Sequence, residues 1–448
     1  MIKGKIYSAK GIAEIVNGEL IGDDCSIEQI SLNSKEKSVL GHCFFAIKGE
    51  KFDGENFVLE AVKNGAKIVV SSKREPTIYT KIYVRDTKEA LYKLAKYNIG
   101  NTKIIGVTGS VGKTTIKELA SAVLSKKYSV SATYENYNNE IGVSLTLLGI
   151  KDEDFCVVEM GMRGLGEIEL LARISTPEIS IISNAGTAHI ERLGSEENIL
   201  KAKAEILKHT KKHAIVPSEK RFKGIDYKNL KVSFIGEQKG VYSDWFNIEN
   251  EGISFNIIDN NLNKEYNAFI HSFYPHDIQN ALFAYELGRV CNVPAEKIID
   301  GIFEFKNYKN RGSIQKIRNF ELINDSYNAS LESVKASIIG LLGLCKKKNK
   351  IPFVVLGDML ENGDFSEKYH LEIGAFLRKN NVENLVTFGC LSQKICEGLG
   401  GGIHFDSYEK IIDYLKENVN ENHIALIKAS RRLSFEKIIE GLKQKNEN

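Results

Sequence analysis

Residues 106–115, GVTGSVGKTT, place a lysine and two threonines directly behind closely spaced glycines. Glycine-rich turns allow backbone N–H groups to point at an anion, and the N-terminus of a following helix adds partial positive charge. In this arrangement Lys113 reaches the β- and γ-phosphates of a nucleotide, and Thr114 holds Mg²⁺. The stretch therefore predicts a nucleotide-binding loop. Its predicted contacts are Gly109, Ser110, Gly112, Lys113, Thr114 and Thr115.

The loop departs from the strict P-loop pattern at Val107, since that pattern has glycine five residues before Gly112. Kinases, GTPases and ATP-dependent ligases all use such loops, so the loop alone does not define the reaction. A structural glycine-rich turn capped by threonine is the alternative interpretation. The apolar run KIIGV before the loop and the helical periodicity behind it favour nucleotide binding, because such loops occur between a strand and a helix.

Four further polar residues are candidates for the same site. Glu159 ends the apolar run FCVVE, and His189 comes after EISIIS. Ligand sites of parallel sheets form beyond the carboxyl ends of the strands, so both residues are possible metal ligands. Taken alone, Glu159 is better explained as an exposed cap and His189 as a structural histidine. For Asn138 and Asn139, a role in the site and a role as turn formers are equally compatible with the sequence, since asparagines often form turns.

The elements that must position these residues alternate between strand and helix. Apolar runs ending in Gly, Asp or Ser precede helix-period stretches, for example KIIGVTGS, FCVVEMGM, FVVLGDM and HIALIKAS. This order is typical of parallel α/β units. Residues 231–272 are instead rich in aromatic and β-branched residues with turn signals, which predicts inserted antiparallel strands. Behind the glycine-rich loop, one helical face is formed by Ile116, Leu119, Ala120, Val123 and Leu124.

The chain of 448 residues is too long for one ordinary hydrophobic core. We predict three domains, at residues 1–98, 99–308 and 309–448. The 61 basic and 58 acidic residues leave a net charge of +3, which does not favour nucleic acid as a partner.

Cysteine usage and hydropathy bear on the compartment. Seven cysteines without a CxxC spacing favour free thiols in a reducing cytoplasm. No segment approaches the ~20 apolar residues of a membrane span. We therefore expect a cytoplasmic protein without stable membrane insertion, and a monomer.

Further motifs, in order along the chain, resemble those of the Mur ligase family. Its members write the glycine-rich loop as T-G-S-x-G-K-T-T without the leading glycine, as here. Its other motifs are similar to YNNEIGVSLTLL (137–148), VVEMGMRGLGEI (157–168) and NAGTAHIERLGSEENILKAKAEI (184–206). The resemblance implies an α/β fold of three domains: a small α/β uridine-nucleotide domain, a central P-loop parallel-sheet ATPase domain and a C-terminal Rossmann-like α/β domain.

Three more stretches resemble one branch of this family: SLNSKEKSVLGHCFFAIKGEKFDGENF (31–57), NDSYNASLESVKAS (324–337) and VVLGDMLENGDFSEKYH (354–370). That branch adds D-alanyl-D-alanine to a UDP-N-acetylmuramoyl-tripeptide in peptidoglycan precursor synthesis. The resemblance implies an ATP- and Mg²⁺-dependent amide ligase that works through an acyl phosphate. The sequence departs from the family pattern at Asn33, Lys35, Glu55, Ser144, Asp277, Leu331, Asn362 and Ala429.

The resemblance also implies roles for individual residues. It implies catalysis by Lys113, His189, Lys203 and Arg311, and Lys203 aligns with the lysine that the family carbamylates. The implied metal ligands are Thr114, Glu159, His189 and Lys203. Beyond the loop, the implied ATP contacts are Asn138, Asn139, His276, Asn280, Arg311 and Asp325. The implied substrate contacts are Ser34, Lys35, Gly49, Asp53, Gly54, Tyr327 and Asn328.

Three alternatives stay open from the sequence. A related ligase would join another amino acid or peptide to a different carboxylate, although the motif at 31–57 argues against a folate substrate. A P-loop kinase would need no amine for turnover. A nucleotide-binding regulatory protein without catalysis is disfavoured by the presence of Lys113, Thr114, Glu159, His189 and Lys203.

Overall fold

The computed structural model describes residues 2–37, 41–49, 52–75, 77–238, 240–306 and 310–444. Three β-sheets follow one another along the chain, and helices pack against each of them. The predicted α/β class with three units is thereby confirmed. The division at 98/99 stays a prediction, and the predicted boundary at 308/309 lies outside the described residues.

The first sheet has the strand order β1-β3-β4-β5-β6-β2. Its inner strands pair in parallel, and the edge strands β1 and β2 pair antiparallel to their neighbours. The strands are β1 (Ile2–Ser8), β2 (Glu19–Ile21), β3 (Ser26–Ser31), β4 (His42–Phe45), β5 (Ala66–Ser71) and β6 (Thr80–Tyr83). The helices are α1 (Ala9–Val16), α2 (Val58–Lys63) and α3 (Thr87–Asn98).

The second sheet carries the glycine-rich loop. Its main path is β14-β15-β13-β12-β11-β10-β7-β9-β8, with β16 paired to β15. The strands are β7 (Lys103–Thr108), β8 (Val130–Ala132), β9 (Phe155–Glu159), β10 (Ile179–Ile182), β11 (His213–Pro217), β12 (Lys231–Ile235), β13 (Val241–Tyr242), β14 (Phe246–Ile248), β15 (Ile253–Asp259) and β16 (Lys264–Ile270). The helices are α4 (Lys113–Leu124), α5 (Glu140–Leu148), α6 (Glu167–Ser175), α7 (Ile190–Leu193), α8 (Glu196–Ala204), α9 (Lys220–Lys223), α10 (His276–Val290) and α11 (Ala295–Glu304).

Two predictions about this sheet have different outcomes. The predicted apolar face of α4 is fully buried, which confirms it. The prediction of antiparallel strands over residues 231–272 holds for β14, β15 and β16. It is wrong for β12, which pairs in parallel with β11 and continues the parallel sheet. The segment holding α9 carries the chain back across the sheet between these two strands, and a parallel pair requires such a crossover.

The third sheet has the order β17-β18-β22-β19-β20-β21, parallel except at the edge strand β17. The strands are β17 (Ser313–Ile317), β18 (Phe320–Asn324), β19 (Ile351–Gly357), β20 (Leu385–Phe388), β21 (Ile403–Phe405) and β22 (His423–Lys428). The helices are α12 (Leu331–Lys348), α13 (Ser366–Lys379), α14 (Gln393–Leu399), α15 (Tyr408–Asn418) and α16 (Glu436–Lys443). Short 3₁₀ turns cover Gly54–Phe57, Glu205–His209, Gly363–Phe365 and Arg431–Leu433.

A tyrosine of the second unit packs against the third unit. Tyr274, just before α10, is buried between two glycines that belong to the third unit. A Cβ atom at Gly312 would lie 2.9 Å from the Tyr274 hydroxyl oxygen, and one at Gly340 would lie 2.6 Å from its Cδ1. The absence of side chains at these glycines therefore allows the two units to approach closely.

All seven cysteines are unpaired thiols, as predicted. Within the described parts of the chain, no helix combines the length and the apolar character that crossing a membrane would require.

Candidate active site

The glycine-rich loop lies between β7 and α4, as predicted, and two of its glycines cannot be replaced without strain. Gly109 and Gly112 have φ angles of 155° and 84°, which side chains disfavour. A Cβ atom at Gly109 would lie 1.8 Å from Ser183 Oγ, and one at Gly112 would lie 2.7 Å from Asn280 Oδ1. The loop is therefore packed tightly between the end of β10 and the start of α10.

Val107, the departure from the strict P-loop pattern, is part of β7. Its side chain is fully buried in the core of the second unit, and its backbone pairs in register with Glu159 of β9. The strand therefore continues past the position where the strict pattern has glycine, and the turn itself needs only residues 109–112.

Asn184, directly behind β10, holds the loop in shape. Its Oδ1 accepts hydrogen bonds from the backbone N–H groups of Ser110 and Val111, at 3.1 and 3.0 Å. Its Nδ2 donates to the Val111 carbonyl at 2.9 Å. The N–H groups in the first turn of α4 have no intrahelical partners, so they are the donors left for an anion. Thr115 is half-buried in this first turn.

Glu159 lies at the end of β9 beside the start of α4. Its side chain is 2% exposed. Thr114 Oγ1 donates to one carboxylate oxygen at 2.7 Å, and Asn138 Nδ2 donates to the other at 2.8 Å. A hydroxyl and a carboxylate next to a phosphate loop are the oxygen ligands that Mg²⁺ takes in nucleotide sites. These residues fit a magnesium ion.

Cationic side chains converge on the loop. Lys113 Nζ donates to the carbonyls of Gly109 and Ser110, at 2.7 and 3.2 Å. Burial lowers the pKa of Lys113, and the charge of Arg311 lowers it further, while Glu159 acts in the opposite direction. An assembly of positive charges calls for an anion between them, such as a polyphosphate.

Lys203, on α8, is the most deeply buried of these cations. Its residue is 1% exposed, and its ammonium group has no hydrogen bond or ion pair within the described residues. Burial, and then the charge of Lys113, hold the pKa of Lys203 well below its usual value. A buried lysine of this kind is available as a neutral amine.

Arg311 reaches the site from the third unit. Its guanidinium carbon lies 3.8 Å from the centre of the Tyr327 ring, a stacked cation–π contact. Within the described part of the chain, its Nε is buried without a hydrogen-bond partner, and so are Ser110 Oγ and His276 Nδ1. Buried polar atoms are normally satisfied, so unpaired ones around one cleft indicate a missing polar ligand.

His189 has a left-handed backbone (φ 67°) at the start of α7. Its Nδ1 lies 2.7 Å from Glu361 Oε2 of the third unit, within ion-pair range but without the alignment of a hydrogen bond. This imidazole holds the pKa of Glu361 below its usual value. Among the described residues, no hydrogen bond or ion pair connects His189 to Glu159 or Lys203, nor do three His, Cys, Asp or Glu side chains form a metal-binding cluster.

The residues predicted for the adenine side lie at the start of α10. His276 stacks on Tyr274, with ring centres 5.4 Å apart. Asn280 Nδ2 donates to Asp277 Oδ1 at 2.7 Å, and Asp277 is buried. The aspartate that departs from the family pattern therefore orients Asn280 against Gly112.

The remaining predicted residues of the second and third units have partners within the protein. Asp325 Oδ2 accepts from Ser337 Oγ at 2.6 Å and from Lys428 Nζ at 2.7 Å. The same lysine donates to the carbonyl of Asn328, whose side chain is exposed. Asn139 Oδ1 caps α5 by accepting from the Gly142 N–H at 2.8 Å. Ribose binding by Asp325 and phosphate binding by Asn139 stay predictions.

In the first unit, most of the predicted uridine-nucleotide residues have hydrogen-bond partners among other residues of the same unit. Ser34 is buried and donates to Glu60, while Lys35 is exposed. Asp53 caps the turn at Gly54–Phe57 through the Glu55 N–H at 3.0 Å. Gly54 is packed so tightly that a Cβ atom there would lie 2.6 Å from the Ile47 nitrogen, and Gly49 N–H donates to the Phe52 carbonyl at 2.8 Å.

Several residues of the site were not predicted from the sequence. Asn184 lies in the quoted NAGTAHIER stretch, and its position behind a strand next to β7 is the signal that could have identified it. Glu332 and Glu361 lie in the stretches 324–337 and 354–370 that carry the family resemblance, but no role was predicted for them. Their contacts, and those of Tyr274 and Lys428, join parts of the chain that are distant in sequence.

The fold and this site define an ATP-using P-loop protein of three α/β units. Family models match it in succession as Mur ligase family, catalytic domain (residues 26–99), Mur ligase middle domain (107–288) and Mur ligase, glutamate ligase domain (311–431). Together with the full-length relative described next, these matches show that the chain belongs to the Mur ligase family. It is an ATP-dependent ligase.

The relatives match along nearly the whole chain. The UDP-N-acetylmuramoyl-tripeptide–D-alanyl-D-alanine ligase of Bacillus subtilis (strain 168) is 33% identical, over 97% of this chain and 98% of its own length. A crystal structure of MurF from Acinetobacter baumannii is 27% identical, with a TM-score of 0.91 over 98% of this chain and 99% of that one. MurF ligase from Thermotoga maritima in complex with ADP is also 27% identical, with a TM-score of 0.84 over 93% and 97% of the two chains.

Proposed function

We propose that this chain adds D-alanyl-D-alanine to a UDP-N-acetylmuramoyl-tripeptide and converts ATP to ADP and phosphate, as a step of peptidoglycan precursor synthesis. The substrates are those in the name of the Bacillus subtilis relative, which matches over 97% of this chain. The observation that supports the nucleotide chemistry is the convergence of Lys113, Lys203 and Arg311 on one glycine-rich loop.

The reaction replaces a poor leaving oxygen. The tripeptide carboxylate attacks the γ-phosphorus of ATP, which gives an acyl phosphate and ADP. The dipeptide amine then attacks the acyl carbon, and the tetrahedral intermediate expels phosphate. Both steps gather negative charge on oxygen, which Lys113 and Arg311 stabilise from opposite sides of the cleft. Closure of the third unit shields the acyl phosphate from water.

The proposed function uses two magnesium ions, of which the first has a fitting pair of oxygen ligands in Thr114 and Glu159. Thr114 and Glu159 would hold one ion beside the phosphates, and His189 with a carbamylated Lys203 would hold a second. Bound Mg²⁺ neutralises phosphate charge and polarises the phosphoryl oxygens. The chain's own part is to position these ligands on the end of β9, the start of α4, the start of α7 and α8.

Carbamylation of Lys203 is supported by its burial and its lowered pKa, because only the neutral amine reacts with CO₂. In protein supplied with ¹³C-bicarbonate, NMR should show a carbamate carbon that is absent from Lys203→Arg. A carbamate signal of equal size in both proteins, or in neither, would contradict the assignment.

The first unit would hold the uridine-nucleotide end of the substrate through Ser34, Lys35, Gly49, Asp53 and Gly54, while Tyr327 and Asn328 would line the closing cleft on the third unit. ATP would be held further by Asn138, Asn139, His276, Asn280 and Asp325. We place the reaction in the cytoplasm, in keeping with seven unpaired thiols, and expect a monomer.

The deciding experiment measures phosphate release with ATP and Mg²⁺ while the tripeptide substrate and D-alanyl-D-alanine are added separately and together. Turnover only with both, and a product heavier by one dipeptide residue, is expected. Ligation of a different amine or carboxylate would keep the ligase chemistry and discard these substrates. Transfer of phosphate to a stable product without any amine would instead identify a kinase.

A further inference from the structure

A carboxylate of the third unit binds the loop behind β10. Glu332, in the first turn of α12, accepts a hydrogen bond from the Thr187 backbone N–H at 2.8 Å and another from the Thr187 hydroxyl at 3.1 Å. The two residues are 145 positions apart in sequence. Thr187 is buried, and Glu332 is half-buried. Hydrogen bonds to a charged acceptor in such a place are stronger than neutral ones.

The glycine next to Thr187 leaves space for the Glu332 carboxylate. A Cβ atom at Gly186 would lie 2.9 Å from Glu332 Oε1, so a side chain there would force the carboxylate to move. The backbone of Gly186 is not in the left-handed region, so glycine is not required there for its conformation.

The two sides of this contact carry different parts of the proposed site. Thr187 lies between Asn184, which shapes the glycine-rich loop, and His189. Glu332 opens the helix that follows Asp325 and Tyr327, and Tyr327 stacks on Arg311. A displacement of Glu332 relative to Thr187 would therefore move Arg311 relative to Lys113.

We propose that Glu332 is a positioning residue that fixes the third unit over the glycine-rich loop by accepting both hydrogen bonds of Thr187. The proposal rests on the proposed ligase function for its kinetic consequence. Glu332 lies in the stretch NDSYNASLESVKAS, at a position for which the family motif has no fixed residue. The motif that the chain shares with its family therefore does not account for Glu332.

A merely structural role is the competing explanation, because an acidic residue in the first turn stabilises its own helix. That role would lower the thermal stability of Glu332 variants and would not depend on Thr187. The positioning role predicts coupling between the two residues.

The first test is a double-mutant cycle with Thr187→Val and Glu332→Ala. Glu332→Ala should lower kcat about tenfold and Thr187→Val about threefold, with the double variant close to Glu332→Ala alone. Thr187→Ser keeps the hydroxyl and should restore kcat. Glu372→Gln is the matched control, since Glu372 pairs with Lys335 inside the third unit. Additive effects in the cycle would overturn the proposal.

The second test uses Gly186→Ala, whose methyl group should displace the carboxylate. It should lower kcat in the wild-type background and have no further effect in Glu332→Ala. An equal effect in both backgrounds would show that Gly186 acts independently of Glu332 and would contradict the proposal.

A third readout does not require the substrates to be the proposed ones. Small-angle X-ray scattering with and without ADP and Mg²⁺ should show compaction of the wild type and of Glu372→Gln, and less compaction of Glu332→Ala. If the wild type compacts but ligates no D-alanyl-D-alanine, the proposed substrates fail and the positioning role stands. Equal compaction of Glu332→Ala and the wild type would overturn the role.

Discussion

The glycine-rich loop of the second unit and the loop around Asp53 in the first unit are both predicted to bind a nucleotide, yet they differ in how their polar groups are used. At the glycine-rich loop, neither the Lys203 ammonium group nor the buried Arg311 Nε has a hydrogen-bond partner among the residues that the structure describes. Around Asp53, the Glu55 carboxylate accepts hydrogen bonds from the Ser71 hydroxyl and from the backbone N–H and the hydroxyl of Ser72.

The difference separates two kinds of evidence. Unsatisfied buried charge is costly, so a protein retains it where a ligand completes the site. The second unit therefore carries physical evidence for a polyanion in its own contacts. The carboxylates of Asp53 and Glu55 already accept hydrogen bonds, so the role of this loop as the uridine-nucleotide site depends on resemblance. Substitutions at the glycine-rich loop should therefore affect the chemical step. Substitutions around Asp53 should affect the affinity for one substrate.

The largest effect is expected for Lys113→Ala. Removal of a cation that faces the transferred phosphoryl group should lower kcat/KM about a thousandfold in the ligation assay. Lys126→Ala, which breaks a surface ion pair with Glu304, is the control and should retain activity. Unimpaired ligation by Lys113→Ala would refute the nucleotide mechanism.

Arg311→Ala should lower kcat about a hundredfold, because the third unit then supplies no charge to the developing oxyanion. Arg311→Lys should recover only part of this loss, since an ammonium cannot stack flat on Tyr327 as a guanidinium does. The exposed Arg318, also in the third unit, provides the control variant Arg318→Ala. Equal kcat values for the two alanine variants would remove Arg311 from the site.

Glu159→Gln should raise the Mg²⁺ concentration for half-maximal activity about tenfold, because the amide keeps the size of the side chain but loses the charge that binds the ion. The measurement is a Mg²⁺ titration of phosphate release at saturating ATP. Glu304→Gln, which weakens a surface ion pair with Lys126 in the same unit, serves as control. An unchanged titration curve would mean that Glu159 only orders Thr114 and Asn138.

The smallest effect is expected for Asp53→Asn, because asparagine caps the turn as well as aspartate does. The KM for the UDP-linked tripeptide should rise about threefold to tenfold, with the KM for ATP unchanged. Asp24→Asn, at another exposed backbone contact of the first unit, is the control. A lower kcat together with a higher KM for ATP would break the contrast between the two loops.

The sequence predicted the site best where the chain itself brings residues together. Gly109, Gly112, Lys113 and Thr114 lie in one strand-to-helix connection, so their types and spacing indicate their function. The strand-end rule made Glu159 a possible ligand but left an exposed cap as the better explanation, and only the family resemblance favoured the ligand. In the structure β9 pairs in parallel with β7, and Glu159 is buried rather than exposed.

The sequence pattern did not predict the structure where one composition is compatible with two structural arrangements. Residues 231–235 have the apolar and β-branched content of any strand, and only the crossover through α9 makes β12 parallel rather than antiparallel. Likewise, asparagine at 139 suits both a phosphate contact and a helix cap, and the structure uses its oxygen for the cap.

The sequence by itself determined the three α/β units, the nucleotide loop and the family, because these depend on local spacing and on motifs that stay in order along the chain. Only the tertiary structure decided that Arg311 approaches Lys113, that Glu332 binds Thr187 and that Asp277 orients Asn280 against the loop. The first two of these contacts join the second and third units, and the third depends on how α10 packs against the glycine-rich loop within the second unit. Burial and packing therefore determine which charges are left for a ligand, and neither is encoded in the neighbours of a residue along the chain.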